Sequence, residues 1–317
     1  MSILKGVFIM GIVVTGAAFV DIKGYPEGIY IPEGRNVGRV EQIHGGVSRN
    51  VVEDIANVQL NPVYLGLADT TGLGVDVIRH LKDRGVDTRY MLQTPDGMGT
   101  WLAVFDHNGD VVGSISRRPD LSPIHGILDQ SGDEIFSQCD SVALELDMDR
   151  DLTDRIYAFC AKYRKKIYAV VSNMSIAVKR RDLLRSTACL VCNQQEAGIL
   201  FMEDYDYLEP KDMQTKLAEK IVEAGIPQMV VTMGGHGAVY ASLEDGVSGF
   251  CPARKVEVRD TTGAGDAFFA GVTMGLTYGK SLAQACEIGT RLAASVITTA
   301  QNVCPSFLPG EFGLNKF

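Results

Sequence analysis

Short apolar runs alternate along this chain with stretches in which apolar residues recur every three or four positions. The runs Ile12–Thr15, Val63–Leu67, Ser141–Leu146, Lys166–Val171, Cys189–Cys192 and Gln228–Thr232 read as buried strands, and Ala238–Tyr240 begins another. Between them lie helical patterns: one carrying Val51, Val52, Ile55, Ala56 and Val58, then Val75–Leu81, Leu152–Tyr163, Lys179–Arg185, Gln195–Met202, Met213–Ala224, Asp266–Leu276 and Leu282–Thr298. Such alternation predicts an α/β fold: a doubly wound, mostly parallel sheet flanked by helices on both faces. Two β-rich excursions, about 22–45 and 95–118, break the pattern and predict a small β-sheet lid. The first includes the short β-like piece Gly28–Ile31. The second pairs Trp101–Phe105 with Val111–Ile115 across an Asn108-Gly109 hairpin turn. No repeat or long linker divides the chain, so residues 1–317 read as one domain.

The composition, 46% hydrophobic and 22% charged, is that of a globular protein with a sizeable core. A formal net charge of −9 leaves no basic footprint for a nucleic acid polymer or an anionic membrane. Anionic small molecules must then be held by local dipoles, a metal and a few placed cations. Seven scattered cysteines argue against a disulfide framework and for a reducing compartment, hence a cytoplasmic location. Cys189 and Cys192 form a lone Cys-x-x-Cys on a strand, where positions three apart face opposite ways. Residues Gly6–Val20 are uncharged and mostly apolar, which fits either a weak signal peptide or, at Gly11–Gly16, a first buried strand. Met10 offers an alternative start, with the first nine residues as an extension.

The most informative stretch is Asp260-Thr-Thr-Gly-Ala-Gly-Asp266-Ala-Phe-Phe-Ala-Gly271. Small residues lead into a buried helix, whose first N–H groups lack intrahelical partners and lie at the positive end of its dipole. The N–H groups of Gly263, Ala264 and Gly265 therefore suit an anion such as phosphate. Asp266 would repel that anion unless it serves another purpose, and the useful one is to accept a proton from an attacking hydroxyl. A glycine turn capped by Asp266 has the same local composition.

Other polar clusters follow predicted strands, where open α/β sheets bind ligands. Asp21 could accept two hydroxyl hydrogens of a sugar, or serve as a turn carboxylate. Gly45 and Gly46 precede a helix with Arg49 and Asn50 on its first turn, and Asn50 can both donate to and accept from hydroxyls. Asn193-Gln-Gln-Glu196 could equally be a helix cap. Val230–Ala238 runs from a strand into a glycine turn. The chain has no Walker-type phosphate loop, no His-Glu-x-x-His and no Gly-x-Ser-x-Gly.

With all these motifs in order from Asp21 to about Pro309, the chain resembles the ribokinase (PfkB) family of carbohydrate and nucleoside kinases. The resemblance implies transfer of the γ-phosphoryl of ATP to a hydroxyl of a small sugar or nucleoside. It implies Asp266 as base; Gly263, Ala264 and Gly265 as anion hole; Asn193, Thr232, Gly234 and Gly237 near ATP; and Asp21, Gly45, Gly46, Arg49 and Asn50 around the acceptor. Glu196 would orient a hydrated Mg2+, and a monovalent cation (K+) and a homodimer formed through the lid belong to the same expectation. Gly45-Gly-Val-Ser-Arg-Asn50 is similar to the corresponding run of pseudouridine kinases. Ser175 and Lys179 match a further element of theirs, with Lys179 as a substrate contact, although Met174 replaces its proline. This detail points to the 5′-hydroxyl of pseudouridine; ribose, fructose or 2-keto-3-deoxygluconate are the alternatives. The runs Gly66–Gly72 and Ala300–Pro305 depart from the family pattern. A sensor that binds a sugar or nucleoside without catalysis is the alternative of another class.

Overall fold

The computed structural model describes residues 11–314, apart from residues 147 and 172 and the side chains of 175 and 176. The expected N-terminal extension, residues 1–9, and its alternative start at Met10 thus lie outside the described residues, as does the Ser175 side chain.

The chain opens with β1 (Val13–Thr15), β2 (Phe19–Pro26), β3 (Gly38–Gly45) and α1 (Val47–Asn57). It continues through β4 (Val63–Ala68), α2 (Gly72–Asp83), β5 (Met91–Gln93), β6 (Gly99–Phe105) and β7 (Val111–Arg117). Next come α3 (Ile124–Gln138), β8 (Val142–Glu145), α4 (Arg150–Tyr163), β9 (Ile167–Val170), the single turn α5 (Met174–Ala177), β10 (Cys189–Asn193) and α6 (Gln194–Phe201). The last third holds α7 (Pro210–Ala224), β11 (Gln228–Thr232), β12 (Gly237–Ser242), β13 (Val247–Pro252), α8 (Ala264–Thr277) and α9 (Leu282–Ile297).

Nine strands form one sheet in the order β13-β12-β11-β10-β9-β8-β1-β4-β5. From β11 to β5 every pairing is parallel, and β12 and β13 close the other edge antiparallel. Alternation sends successive side chains to opposite faces. Val13 and Cys192 join the core beneath α3, α4, α6 and α7, whereas Val14 and Cys189 join the core beneath α1, α2, α8 and α9. Cys189 and Cys192 therefore do face apart, and all seven cysteines are buried and free.

A second, four-stranded sheet has the order β3-β2-β6-β7. The tight turn after Asp106 does join β6 to β7, with Asp106 N–H donating to Asp110 O at 2.8 Å. On β2, Phe19, Asp21, Lys23 and Tyr25 share the alternating face. Val40 and Ile115 are exposed on the same sheet.

Three local expectations change. Gly28–Ile31 is not a strand but part of the β2–β3 connection: Ile29 and Ile31 are exposed, and the Asn36 side chain bonds both the N–H and the carbonyl of Ile31. Lys179–Arg185 falls in an irregular 3-10 segment, Val178–Ser186, broken at Arg180. That arginine turns inward to pair with Asp154 and Asp182. The structure also adds α3, whose apolar periodicity is interrupted by Gly126 and Gly132; Phe159 of α4 packs where a Gly132 side chain would be.

Candidate active site

Strands β1, β8, β10 and β11 run parallel, so their carboxyl ends share one edge of the large sheet, and there Glu145 of β8 meets Ser48 at the start of α1. Helix α8 is buried along Ala267–Gly275. Gly271 lies so near Gly289 of α9 that a Cβ would overlap the neighbouring backbone. This packing fixes where the helix starts, and so where Asp266 stands. Gly263 caps α8 with φ 82°, and a side chain there would overlap the Asn302 carbonyl. The expected anion loop is therefore pressed against the segment that follows α9. Of its N–H groups, that of Ala264 donates to Thr261 O at 3.2 Å, whereas Gly263 and Gly265 have no backbone or side-chain acceptor among the described residues. Nothing lies within 4 Å of a Cβ built on Gly265, so space for a ligand adjoins its backbone.

Gly46 caps α1 with φ 94°, and a Cβ there would meet the Ala17 carbonyl at 2.6 Å. The sharp entry it permits buries Asn50. Asn50 Nδ2 donates to Asp266 Oδ2 at 2.6 Å, while Asn50 Oδ1 is buried without a partner. A buried acceptor left open in this way suits a ligand hydroxyl. Asp21 lies against Gly45, where a Cβ would meet both carboxylate oxygens at 2.5 Å. Burial raises the Asp21 pKa, with Lys23 and Arg49 opposing. Burial likewise pushes Asp266 up from 3.8 to about 6, against the lowering effects of the Asn50 hydrogen bond and Arg49 and with a further rise from Asp21. The two carboxylates and Asn50 thus converge from β2, α8 and α1.

Arg49, expected at the acceptor, is engaged by protein partners. Its side chain is 2% exposed and pairs with Glu53 at 2.5 Å, one helical turn on. Its other nitrogen reaches the His44 carbonyl and, at 3.2 Å, Asn302 Oδ1. The i,i+4 spacing puts Arg49 beside Glu53. It acts on Asp21 and Asp266 through its field. Lys179 is exposed on the 178–186 segment and makes no contact with Asp21, Asn50 or Asp266 among the described residues.

Asn193 and Thr232 are register partners at the ends of β10 and β11. Asn193 and Glu196 form a reciprocal capping box: Glu196 N–H donates to Asn193 Oδ1 at 2.7 Å and Asn193 N–H to Glu196 Oε2 at 2.8 Å. This is the helix-cap alternative of the motif. Gly234 begins a short 3-10 turn, and Gly237 reverses the chain with φ 117° where a side chain would overlap the Cys251 carbonyl. His236 is exposed, as a loop residue should be.

Two groups emerge that the sequence motifs do not single out. Glu145 ends β8, and its Oε1 accepts from Ser48 Oγ at 2.5 Å and Ser48 N–H at 2.9 Å. A carboxylate set within the apolar run Val142–Leu146 is the sequence signal it carries. Lys23 is 4% exposed on the same face of β2 as Asp21. A cavity of about 660 Å³ opens beside Glu145, lined also by Ala17, Phe19, Arg118, His125 and Met148. Pockets of roughly 300–1,000 Å³ suit drug-sized ligands. No cluster of three or more His, Cys, Asp or Glu side chains that could hold a metal occurs among the described residues. Nor is any described helix long and apolar enough to cross a membrane.

Comparison with known proteins agrees with this architecture. The guanosine-inosine kinase of Exiguobacterium acetylicum is 33% identical over 292 residues, covering 92% of this chain and 95% of that protein. The pseudouridine kinase of Escherichia coli is 26% identical, covering 87% and 88%. Among solved structures, Arabidopsis thaliana ribokinase complexed with ribose and ATP superposes with a TM-score of 0.81 at 18% identity, over 96% of this chain and 98% of that one. The profile of the pfkB family carbohydrate kinases matches residues 11–305, and the chain belongs to that family of carbohydrate and nucleoside kinases.

Proposed function

We propose that this protein transfers the γ-phosphoryl of ATP to the 5′-hydroxyl of a nucleoside, with guanosine and inosine as its first acceptors. The observation that carries the reading is the 2.6 Å bond between Asn50 and Asp266, which ties an acceptor-binding side chain to a carboxylate whose pKa stands at about 6. Asp21 and the open Asn50 Oδ1 hold ribose hydroxyls. Asp266 takes the proton as the hydroxyl oxygen attacks the γ-phosphorus, and the bond to the β-phosphate oxygen breaks to release ADP. A base tuned between the ordinary carboxylate range and neutrality is ionised at pH 7 and still basic enough to share a proton in the transition state. The Gly263 and Gly265 N–H groups at the start of α8 meet the charge on the phosphoryl group. Thr232, Gly234, Gly237 and Asn193 line the nucleotide side.

Glu196 is half-buried, and the capping box engages it through Oε2, toward Asn193. A carboxylate so placed fits an outer contact to a hydrated Mg2+, which keeps several waters and binds phosphate oxygens directly. When bound, that ion neutralises the β- and γ-phosphates.

A nucleoside is favoured over a free sugar by two points. The relative that is 33% identical across almost the whole chain acts on guanosine and inosine. The 660 Å³ cavity beside Glu145, with His125 and Phe19, two residues before Asp21 on β2, on its walls, is of a size to hold a base. Pseudouridine is the second reading, carried by Gly45–Asn50 and the more distant pseudouridine kinase match. The test is acceptor-dependent ADP release with guanosine, inosine, pseudouridine, adenosine, uridine, ribose and fructose. The expected result is a kcat/KM for guanosine or inosine at least about tenfold above the pentose or hexose, a difference of about 1.4 kcal/mol in transition-state binding. Preference for a free sugar would overturn the nucleoside assignment, and ATP consumption with none of them would overturn the kinase reading in favour of a sensor.

A further inference from the structure

We propose that Lys23, on the small sheet, is the cation that meets the phosphoryl group during transfer. The proposal rests on the phosphotransferase reading and adds a group that the signature motifs do not contain.

Lys23 is 4% exposed, yet it makes no hydrogen bond and no ion pair within 4.0 Å among the described residues. Lysines are seldom fully buried without a partner, because stripping water from an ammonium is costly. The carboxylate opposite it on the neighbouring strand, Glu41, is taken by Arg39 at 2.9 Å. Its other cross-strand neighbour, Ala103, is small and fully buried. The charges that feel Lys23 are Asp21, two residues back on the same face of β2, and Asp260, the first residue of the anion loop. Asp260 is itself turned to the Thr262 N–H, at 2.8 Å. The charge of Lys23 thus acts on both Asp21 and Asp260 without being bound to either.

The charge balance of the cleft gives this position its purpose. Asp21, Asp260 and Asp266 surround a place that must admit a polyanion, while Arg49 is committed to Glu53. The N–H groups of Gly263 and Gly265 supply only partial charges. The proton of the attacking hydroxyl goes to Asp266, the new P–O bond forms as the bond to ADP breaks, and the positive charge of Lys23 balances the oxygens of the group in flight. Stabilisation of this kind belongs to the transition state and so appears in kcat. A lysine that only neutralised Asp21 would instead appear in acceptor affinity.

The experiment compares wild type with Lys23→Met and Lys23→Arg in two measurements. In steady-state turnover with the best nucleoside, Lys23→Met is expected to lower kcat by about 10²-fold or more while both KM values stay within about threefold, and Lys23→Arg to recover at least about tenfold. In thermal melts without any nucleoside, ADP, magnesium and fluoroaluminate, a mimic of the phosphoryl in transfer, should stabilise wild type beyond ADP and magnesium alone. That extra shift should vanish in Lys23→Met and return in part in Lys23→Arg. Turnover of Lys23→Met within about threefold of wild type overturns the proposal, as does an unchanged fluoroaluminate shift or a rise confined to the nucleoside KM. Should Lys23→Met fail to fold, Lys23→Gln, which keeps a polar head of similar reach, is read by the same two measurements. A wild type that consumes no ATP with any nucleoside would overturn the kinase reading, whereas the melts report on the lysine separately.

Discussion

Removing the carboxylate of Asp266 should abolish one limb of the pH profile and, at the same time, make the protein more stable. Its pKa stands at about 6 because burial outweighs the Asn50 hydrogen bond and the field of Arg49. As a base it must be ionised, so kcat/KM should rise with pH through a limb centred near 6. At pH 5 only about a tenth of the molecules carry the ionised base, so the rate should fall about tenfold below its plateau. A carboxylate at the ordinary 3.8 would lose less than about a tenth of its activity there. Asn50→Ala removes an interaction that lowers this pKa and should move the limb to higher pH. Asp266→Asn should cost at least about 10²-fold on the plateau and leave no limb near 6.

The stability effect follows from the direction of the same shift. A folded pKa above the unfolded value means that the fold favours the protonated form. The stabilising contribution of that form is complete below 3.8 and is lost as pH rises through about 6. At pH 8 the ionised carboxylate therefore opposes folding by at most ~3 kcal/mol, at 1.36 kcal/mol per pKa unit, and by less because Asp266 opens in part toward the cleft. Asp266→Asn should raise the Tm at pH 8, and the advantage should shrink as the pH approaches 4. Turnover from about pH 4.5 to 8.5 and melts at both ends of that range measure both effects. A limb near 6 that survives in Asp266→Asn would refute the assignment of the base, and a lower Tm at pH 8 would refute the electrostatic account of its pKa.

The remaining predictions concern the supports of the site. Arg49→Met leaves Glu53, 1% exposed, with only His80 at 2.8 Å and the distant Arg84, and should cost about 3–5 kcal/mol in urea unfolding; a loss below about 1 kcal/mol would show that the pair is not structurally required. Gly263→Ala forces a left-handed residue against the Asn302 carbonyl and should lower stability by a few kcal/mol together with turnover. Gly265→Ala meets nothing in the protein, so it should keep stability within about 1 kcal/mol and weaken ATP use alone. Equal melting losses in the two glycine variants would contradict the geometry of the loop.

The architecture was legible wherever burial is total and periodic. Val13, Val14 and Thr15 are all buried because β1 lies between β4 and β8 with helices on both faces, and an unbroken apolar run is the imprint of that position. Legibility failed where burial is one-sided or comes from outside the element. Ile29 and Ile31 look strand-like in sequence but meet solvent, because the turn through Glu33 and Gly34 folds the connection back on the Asn36 side chain. In α3 the apolar positions have helical spacing, but Gly132 reads as a break; what it accommodates is Phe159, a residue of another helix.

The same division separates the parts of the site. Asp266, Gly263 and Gly46 were legible because backbone geometry demands them locally: two helix starts at positive φ and a carboxylate on the first turn. Arg49 and Lys23 were not, because their roles depend on what covers them. Arg49-x-x-x-Glu53 would be an ordinary surface pair on an exposed helix; burial under Asn302 and His44 makes it a fixed charge behind the cleft. Strand alternation puts Lys23 on the face of Asp21, but Asp260, whose charge also feels Lys23, comes from the far end of the chain. The two cations then divide the work. Arg49, held by Glu53, adds to the Asn50 hydrogen bond in restraining the rise of the Asp266 pKa. Lys23, without a hydrogen bond or ion pair among the described residues, is the charge proposed to meet the ligand. On that proposal, pairing Lys23 with a protein carboxylate would leave Asp21, Asp260 and Asp266 uncompensated beside the phosphate.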